Sequence, residues 1–254
     1  MIFIVNGVYK SGSTRLFSIL LHLFEQEAVP EGLQSDHHSK NFDIVNNPLE
    51  VEKIGRDQHL VVKTHIYDKQ QLARFKDSGY IILHTDRALP EILKSHRYHW
   101  SLERGFDEPV GWLRYSVQTG VFKAAEVCIY NYYASGLSDQ IFRYEELSRS
   151  PLSAAKKINM EYRLGFTEDR LIAACDETDF TGADPSRFLG ESTVRPWFTS
   201  RKKTTAGRFE SKLAALTAHI GRYLALFLRT FKLDRAVIRR RHSYLRHAID
   251  KKPG

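Results

Sequence analysis

The stretch VNGVYKSGSTRL, residues 5–16, joins an apolar run to an amphipathic pattern through a glycine-rich turn. Gly7 and Gly12 have the spacing of the G-x-x-x-x-G-K-[ST] phosphate loop. The lysine, however, is Lys10, two residues before the second glycine, and Ser13 and Thr14 follow that glycine directly. Upstream, Ile2 to Val5 is short and apolar and ends at Asn6-Gly7, as a buried strand does when it enters a tight turn. Downstream, Leu16, Ile19, Leu20 and Leu23 repeat at i, i+3, i+4 and i+7, which predicts a helix starting near Ser13 or Thr14. A strand, a glycine loop and a helix in that order present backbone N–H groups and a positive helix end to a phosphate. Lys10 projects from the middle of this loop, toward whatever is bonded to the cradled phosphate.

Three further apolar runs read as strands: Leu60 to Val62, ending at KTH; YIILH at 80–84, ending at TDR; and QIFRYE at 140–145, followed by ELSRSP. Helical patterns follow them, so the expected fold is α/β, with a P-loop-type central parallel β-sheet flanked by α-helices. In such a sheet ligands gather beyond the carboxyl ends of the strands. Lys10, Lys63, His65, Arg87 and Tyr144 all fall at those ends and are expected to share one cleft. Residues 27–58 and 180–207 lack periodicity and read as long loops. The first holds SDHHSK at 35–40, a place for a substrate lid but not for a catalytic assignment. Residues 110–136 read as one long helix whose aromatics are mostly core, with Trp112 and Tyr115 as candidates to reach an acceptor pocket.

The chain has 254 residues, 42% hydrophobic, enough for one α/β domain with a full core. We expect that domain over 1–231 and a basic helical tail over 232–254, packed on it or extending from it. The net charge of +8 suits a polyanionic ligand, an acidic surface or nucleic acid, and by itself chooses none of them. MIFIVNG has no signal-peptide pattern and no apolar run approaches ~18 residues, so no leader and no transmembrane segment are expected. Two cysteines, Cys128 and Cys175, are too few for a disulfide framework or a zinc site. Together these favour a cytoplasmic protein. His96 and His99 lie three apart on a predicted helix, but no other ligand pattern accompanies them, so no metal is expected.

YKSGSTRL resembles the 5′-phosphosulfate loop, P-K-S-G-T-T-W, of sulfotransferases that use 3′-phosphoadenosine 5′-phosphosulfate (PAPS) and release 3′-phosphoadenosine 5′-phosphate (PAP). Lys10, Ser11, Gly12, Ser13 and Thr14 match it, while Tyr9 and Arg15 replace the proline and the tryptophan. Four more motifs follow in the family order. VVKTH supplies Lys63, Thr64 and His65, and the resemblance makes Lys63 a sulfonate contact and His65 the general base. RALPEILKS places Arg87 and Ser95 at the separation the family uses for the 3′-phosphate. YEELSRSP echoes the segment whose tyrosine, here Tyr144, lies by the adenine. KKTTAGRF keeps the basic pair Lys202 and Lys203 and Gly207 of the segment that closes over the 3′-phosphate. It departs at Thr204, Arg208 and Phe209, so that closure is expected to be looser. Arg15 offers a guanidinium plane where the family has an indole.

The resemblance implies a PAPS-dependent sulfotransferase that modifies a hydroxyl, or second an amine, of a small-molecule acceptor. The chemistry asks for these residue types on its own terms. A lysine beside the bridging oxygen stabilises the charge that develops there, and an imidazole with an ordinary pKa near ~6.5 suits removal of a hydroxyl proton. We expect no nucleic-acid partner, and the oligomeric state, monomer or homodimer, stays open. Two rival readings remain: a P-loop small-molecule kinase, and a non-enzymatic domain binding polyanions through the basic tail.

Overall fold

Four short apolar segments build the frame of the protein. The computed structural model describes residues 1–8, 10–25, 60–65, 69–104, 111–178 and 205–234. Within them β1 (Ile2–Gly7), β2 (Leu60–Thr64), β3 (Ile81–Asp86) and β4 (Gln140–Arg143) form one sheet in the order β2-β1-β3-β4. Every pairing is parallel. Val5 lies opposite Lys63 on one side, Gly7 opposite Thr85 on the other, and Asp86 opposite Arg143. The helices are α1 (Ser13–Leu23), α2 (Lys69–Asp77), α3 (Leu89–Arg104), α4 (Gly111–Tyr115), α5 (Val121–Ser135), α6 (Tyr144–Arg149), α7 (Pro151–Glu161), α8 (Glu168–Asp176) and α9 (Thr205–Thr230), with a π-helical segment at Ser116–Gly120. The chain divides into two compact units: residues 1–87 with 134–201, and residues 88–133 with 202–254.

The first unit holds the sheet. Phe3, Val5, Val61, Leu83 and Phe142 point to one face and meet Leu16, Phe17 and Leu20 of α1, Leu147 of α6, Ile158 of α7 and Leu171 of α8. Ile4, Val62 and Ile82 point the other way and are also fully buried, the pattern of parallel strands covered on both faces. Each large apolar side chain removed from water in this way contributes about 1.5–3 kcal/mol. Helix α1 buries Leu16, Ile19, Leu20 and Leu23, the periodic set read from the sequence. Its carboxyl end is tied down by Arg170 of α8, whose Nε and Nη2 donate to the Leu23 carbonyl at 3.1 and 2.7 Å. A cation there complements the helix dipole and leaves the positive end of α1 facing the glycine loop.

The second unit is helical. Arg97 of α3 pairs with Glu210 of α9 at 3.2 Å and lies 5.0 Å over the Trp112 ring. His96 Nδ1 is 3.0 Å from the Tyr115 hydroxyl. Trp112 and Tyr115 are core residues packed on Ala214. The helix expected over 110–136 is instead α4, the π segment and α5. The Ser116 hydroxyl donates back to the Trp112 carbonyl at 2.8 Å and faces Thr217 of α9 at the same distance, and here the ladder widens. The loop read over 180–207 ends earlier than expected, because α9 starts at Thr205. The expected strand over 140–145 stops at Arg143, and Tyr144 opens α6.

Candidate active site

The glycine loop is set by backbone needs. Gly7 ends β1, and a Cβ there would stand 2.1 Å from Thr85 Oγ1 and 2.6 Å from Ser11 Oγ. Ser11 closes the turn twice, its N–H reaching the Val8 carbonyl at 3.1 Å and its hydroxyl the same oxygen at 2.7 Å. That hydroxyl is also 2.7 Å from Thr85 Oγ1, and since its proton is committed to Val8, Thr85 is the donor. Lys10 has φ 72°, a left-handed conformation that few non-glycine residues adopt. Gly12 follows at φ 95° as the N-cap of α1, with Tyr144 packed so closely that a Cβ would lie 2.6 Å from its Cδ2.

The sheet order reverses between β1 and β3, and ligands of open parallel sheets bind outside the carboxyl ends at that point. The structure places Lys10, Arg87 and Tyr144 together there. Arg87 Nη1 donates to the Lys10 carbonyl at 3.3 Å, and its guanidinium lies 4.1 Å above the Tyr144 ring. The Arg87 N–H is held by Asp86 Oδ1 at 2.8 Å. Lys63, next to β1 at the end of β2, is buried. Burial, and then the charge of Lys10, push its ammonium down to about 7. Lys10 is pushed down to about 8 by burial and then by Arg87. Desolvation and mutual repulsion among three cations both favour an anion at this place.

His65 follows β2 directly. Its Nδ1 is 2.5 Å from the Gly7 carbonyl. A carbonyl only accepts, so Nδ1 carries the proton and Nε2 is the basic nitrogen of the neutral ring. The backbone that starts the loop thus also orients the imidazole.

Ser11 and Ser13 are buried, and Thr14 and Arg15 half-buried, on the loop and the first turn of α1. The Arg15 charge is felt by the Cys175 thiol of α8, which burial and Asp176 push up to about 11. Ser95 is half-buried on α3 and Gly207 lies in the first turn of α9; both belong to the second unit, as do Trp112, Tyr115 and His96. Lys202, Lys203, Tyr9 and the SDHHSK stretch lie outside the described residues, and so does the side chain of His99. Sequence reasoning missed Thr85. Its only signal is a small polar residue at the end of an apolar run, and its partner Ser11 is 74 positions away.

The parallel sheet with its glycine loop makes a sulfotransferase-like α/β fold. The mouse sulfotransferase SULT7A1, in a crystal structure complexed with PAP, superposes over 95% of this chain and 88% of its own, with a TM-score of 0.50 and 14% sequence identity. No family model matches the sequence, and no curated protein is similar to it at the sequence level. Among the described residues no helix is long and apolar enough to cross a membrane.

Proposed function

We propose that the protein transfers the sulfuryl group of PAPS to a hydroxyl, or second an amine, of a small-molecule acceptor, in the cytoplasm and without a metal. One observation carries this reading. Lys10, Lys63 and Arg87 converge at the β1–β3 crevice, with Lys10 in mid-loop and the His65 tautomer set by Gly7. A nucleotide with a phosphosulfate at one end fits a donor set made of a helix N-terminus, a glycine loop and buried cations. When bound, PAPS supplies the sulfuryl group and a phosphate leaving group.

The residues divide the remaining work. Lys10 stabilises the negative charge that grows on the leaving oxygen, and Lys63 offsets the charge of the sulfonate oxygens. Ser11, Gly12, Ser13 and Thr14 offer backbone and hydroxyl donors to the 5′ end. His65 takes the acceptor proton at Nε2, and the Gly7 carbonyl steadies the resulting imidazolium through Nδ1–H. Arg87, Ser95, Lys202, Lys203 and Gly207 are assigned to the 3′-phosphate, and Tyr144 and Arg15 to the adenine. Arg87 has a second task, since it holds the Lys10 backbone.

Calorimetric titration with PAP, without metal and beside magnesium-ATP, tests the donor class. Binding of PAP well ahead of ATP is expected, and the reverse order would replace this reading with that of a kinase. His65→Ala is expected to lower kcat by at least ~10²-fold with PAP affinity little changed, measured by sulfate transfer to an acceptor found by screening. Unaltered turnover would assign the proton to another group.

A further inference from the structure

Helix α9 has two apolar faces of opposite kind. The inner face is made of small residues. Ala214, Thr217, Ala218 and Ala225 are buried, and a Cβ on Gly221 would stand 2.2 Å from the Cβ of Ala124, so α5 and α9 approach closely. The outer face is made of large residues. At ~100° per residue, Phe209, Leu216, Ile220, Tyr223 and Phe227 fall within an arc of roughly 60° on the side away from that row. They are 60, 54, 46, 62 and 52% exposed. Scattered exposed hydrophobics are ordinary on a protein surface, but an unbroken stripe of five along one helix marks an interaction face.

The charge of the helix and of the chain that follows it indicates the partner of the stripe. From Ser211 to Leu233 the chain contains no Asp or Glu, while Lys212, Arg222 and Lys232 are exposed. Residues 235–254 continue with seven Lys/Arg against one Asp. A two-fold dimer through this face would set those cations against their own copies, with only Asp234, already bonded by the Tyr133 hydroxyl, and Asp250 as acidic residues between 211 and 254 to offset them. A soluble polyanion would satisfy the cations and leave the apolar stripe in water. A bilayer surface rich in anionic lipid satisfies both. We propose that the outer face of α9 docks the protein on an anionic lipid surface, the helix lying in the interfacial plane with its apolar stripe at the acyl boundary and its cations at the lipid phosphates. The proposal does not rest on the reading given to the β1–β3 crevice.

The test is flotation of the full chain with phosphatidylcholine vesicles and with mixed phosphatidylcholine/phosphatidylglycerol vesicles, at low and high salt. Binding to the mixed vesicles is expected, at least ~10-fold weaker on the neutral ones and weakened by salt. The double variant Leu216→Asp/Tyr223→Asp is expected to lose it at least ~10-fold with the thermal melt unchanged, because both side chains are exposed. Absence of binding, or equal binding to neutral vesicles, overturns the proposal. So does vesicle binding that survives the double variant and is matched by heparin, which would leave only a basic patch. Sedimentation showing a dimer that the same variant dissolves would assign the face to a second copy instead.

Discussion

Lys63 is a buried cation set among valines near the end of β2, which pairs with β1. Its folded-state pKa of about 7 lies well below the ordinary 10.5, so between those values the native protein binds fewer protons than the unfolded chain. The cost of burying the charge is fully present below pH ~7 and fades as pH rises. Lys63→Met is therefore expected to raise Tm at pH 7, with the gain shrinking toward pH 10, while turnover of PAPS falls. Differential scanning calorimetry across that range, with sulfate-transfer assays at pH 7, checks both signs. Arg87 also acts at this scale, through a planar fork that donates to the Lys10 carbonyl while its face stacks on Tyr144. A lysine provides one charge but not both contacts. Arg87→Lys is expected to weaken PAP binding at least ~10-fold, whereas Tyr144→Phe, which keeps the ring face, is expected to change it less than ~3-fold. The residue types at strand ends were legible in the sequence. The burial of Lys63 and the Arg87 contact were not, because both arise from neighbours distant along the chain.

Helix α1 is the element on which the site depends, and its two ends are treated differently. The carboxyl end receives Arg170, and the amino end is turned by Gly12 in a left-handed conformation against Tyr144. Gly12→Ala meets two obstacles, an unfavourable φ and a ring edge 2.6 Å from the new methyl. A loss of about 1–3 kcal/mol of stability is expected, together with at least ~10-fold weaker PAP binding. Denaturant melts of Gly12→Ala alone and with Tyr144→Ala separate the two causes, since the second change relieves only the steric one. The helix start was readable because a glycine spacing and an apolar period meet at Ser13. The break between α4 and α5 was not, because the apolar pattern runs through it and Ser116 has its widening contact with α9.

At the scale of the whole molecule the net charge of +8 and the crowded cations predict coupled behaviour. An anion at the site restores the charged forms of Lys63 and Lys10, whose pKa values are about 7 and about 8 without it. PAP binding near pH 8 is therefore expected to take up protons and to weaken as pH rises further, which titrations in buffers of different ionisation enthalpy measure directly. No proton uptake would mean that the lysines keep ordinary pKa values. The four strands, the α/β class, the glycine loop with the helix after it and the residue types at the strand ends were determined by the sequence alone. Those features rest on local periodicity and on residues adjacent in the chain. Only the tertiary structure decided that β1 lies between β2 and β3, that Thr85 locks Ser11, that Gly7 holds His65, and that Arg87 holds Lys10. These contacts join positions 74, 58 and 77 residues apart, and no local pattern encodes a pairing that exists only once the parallel strands have aligned their carboxyl ends.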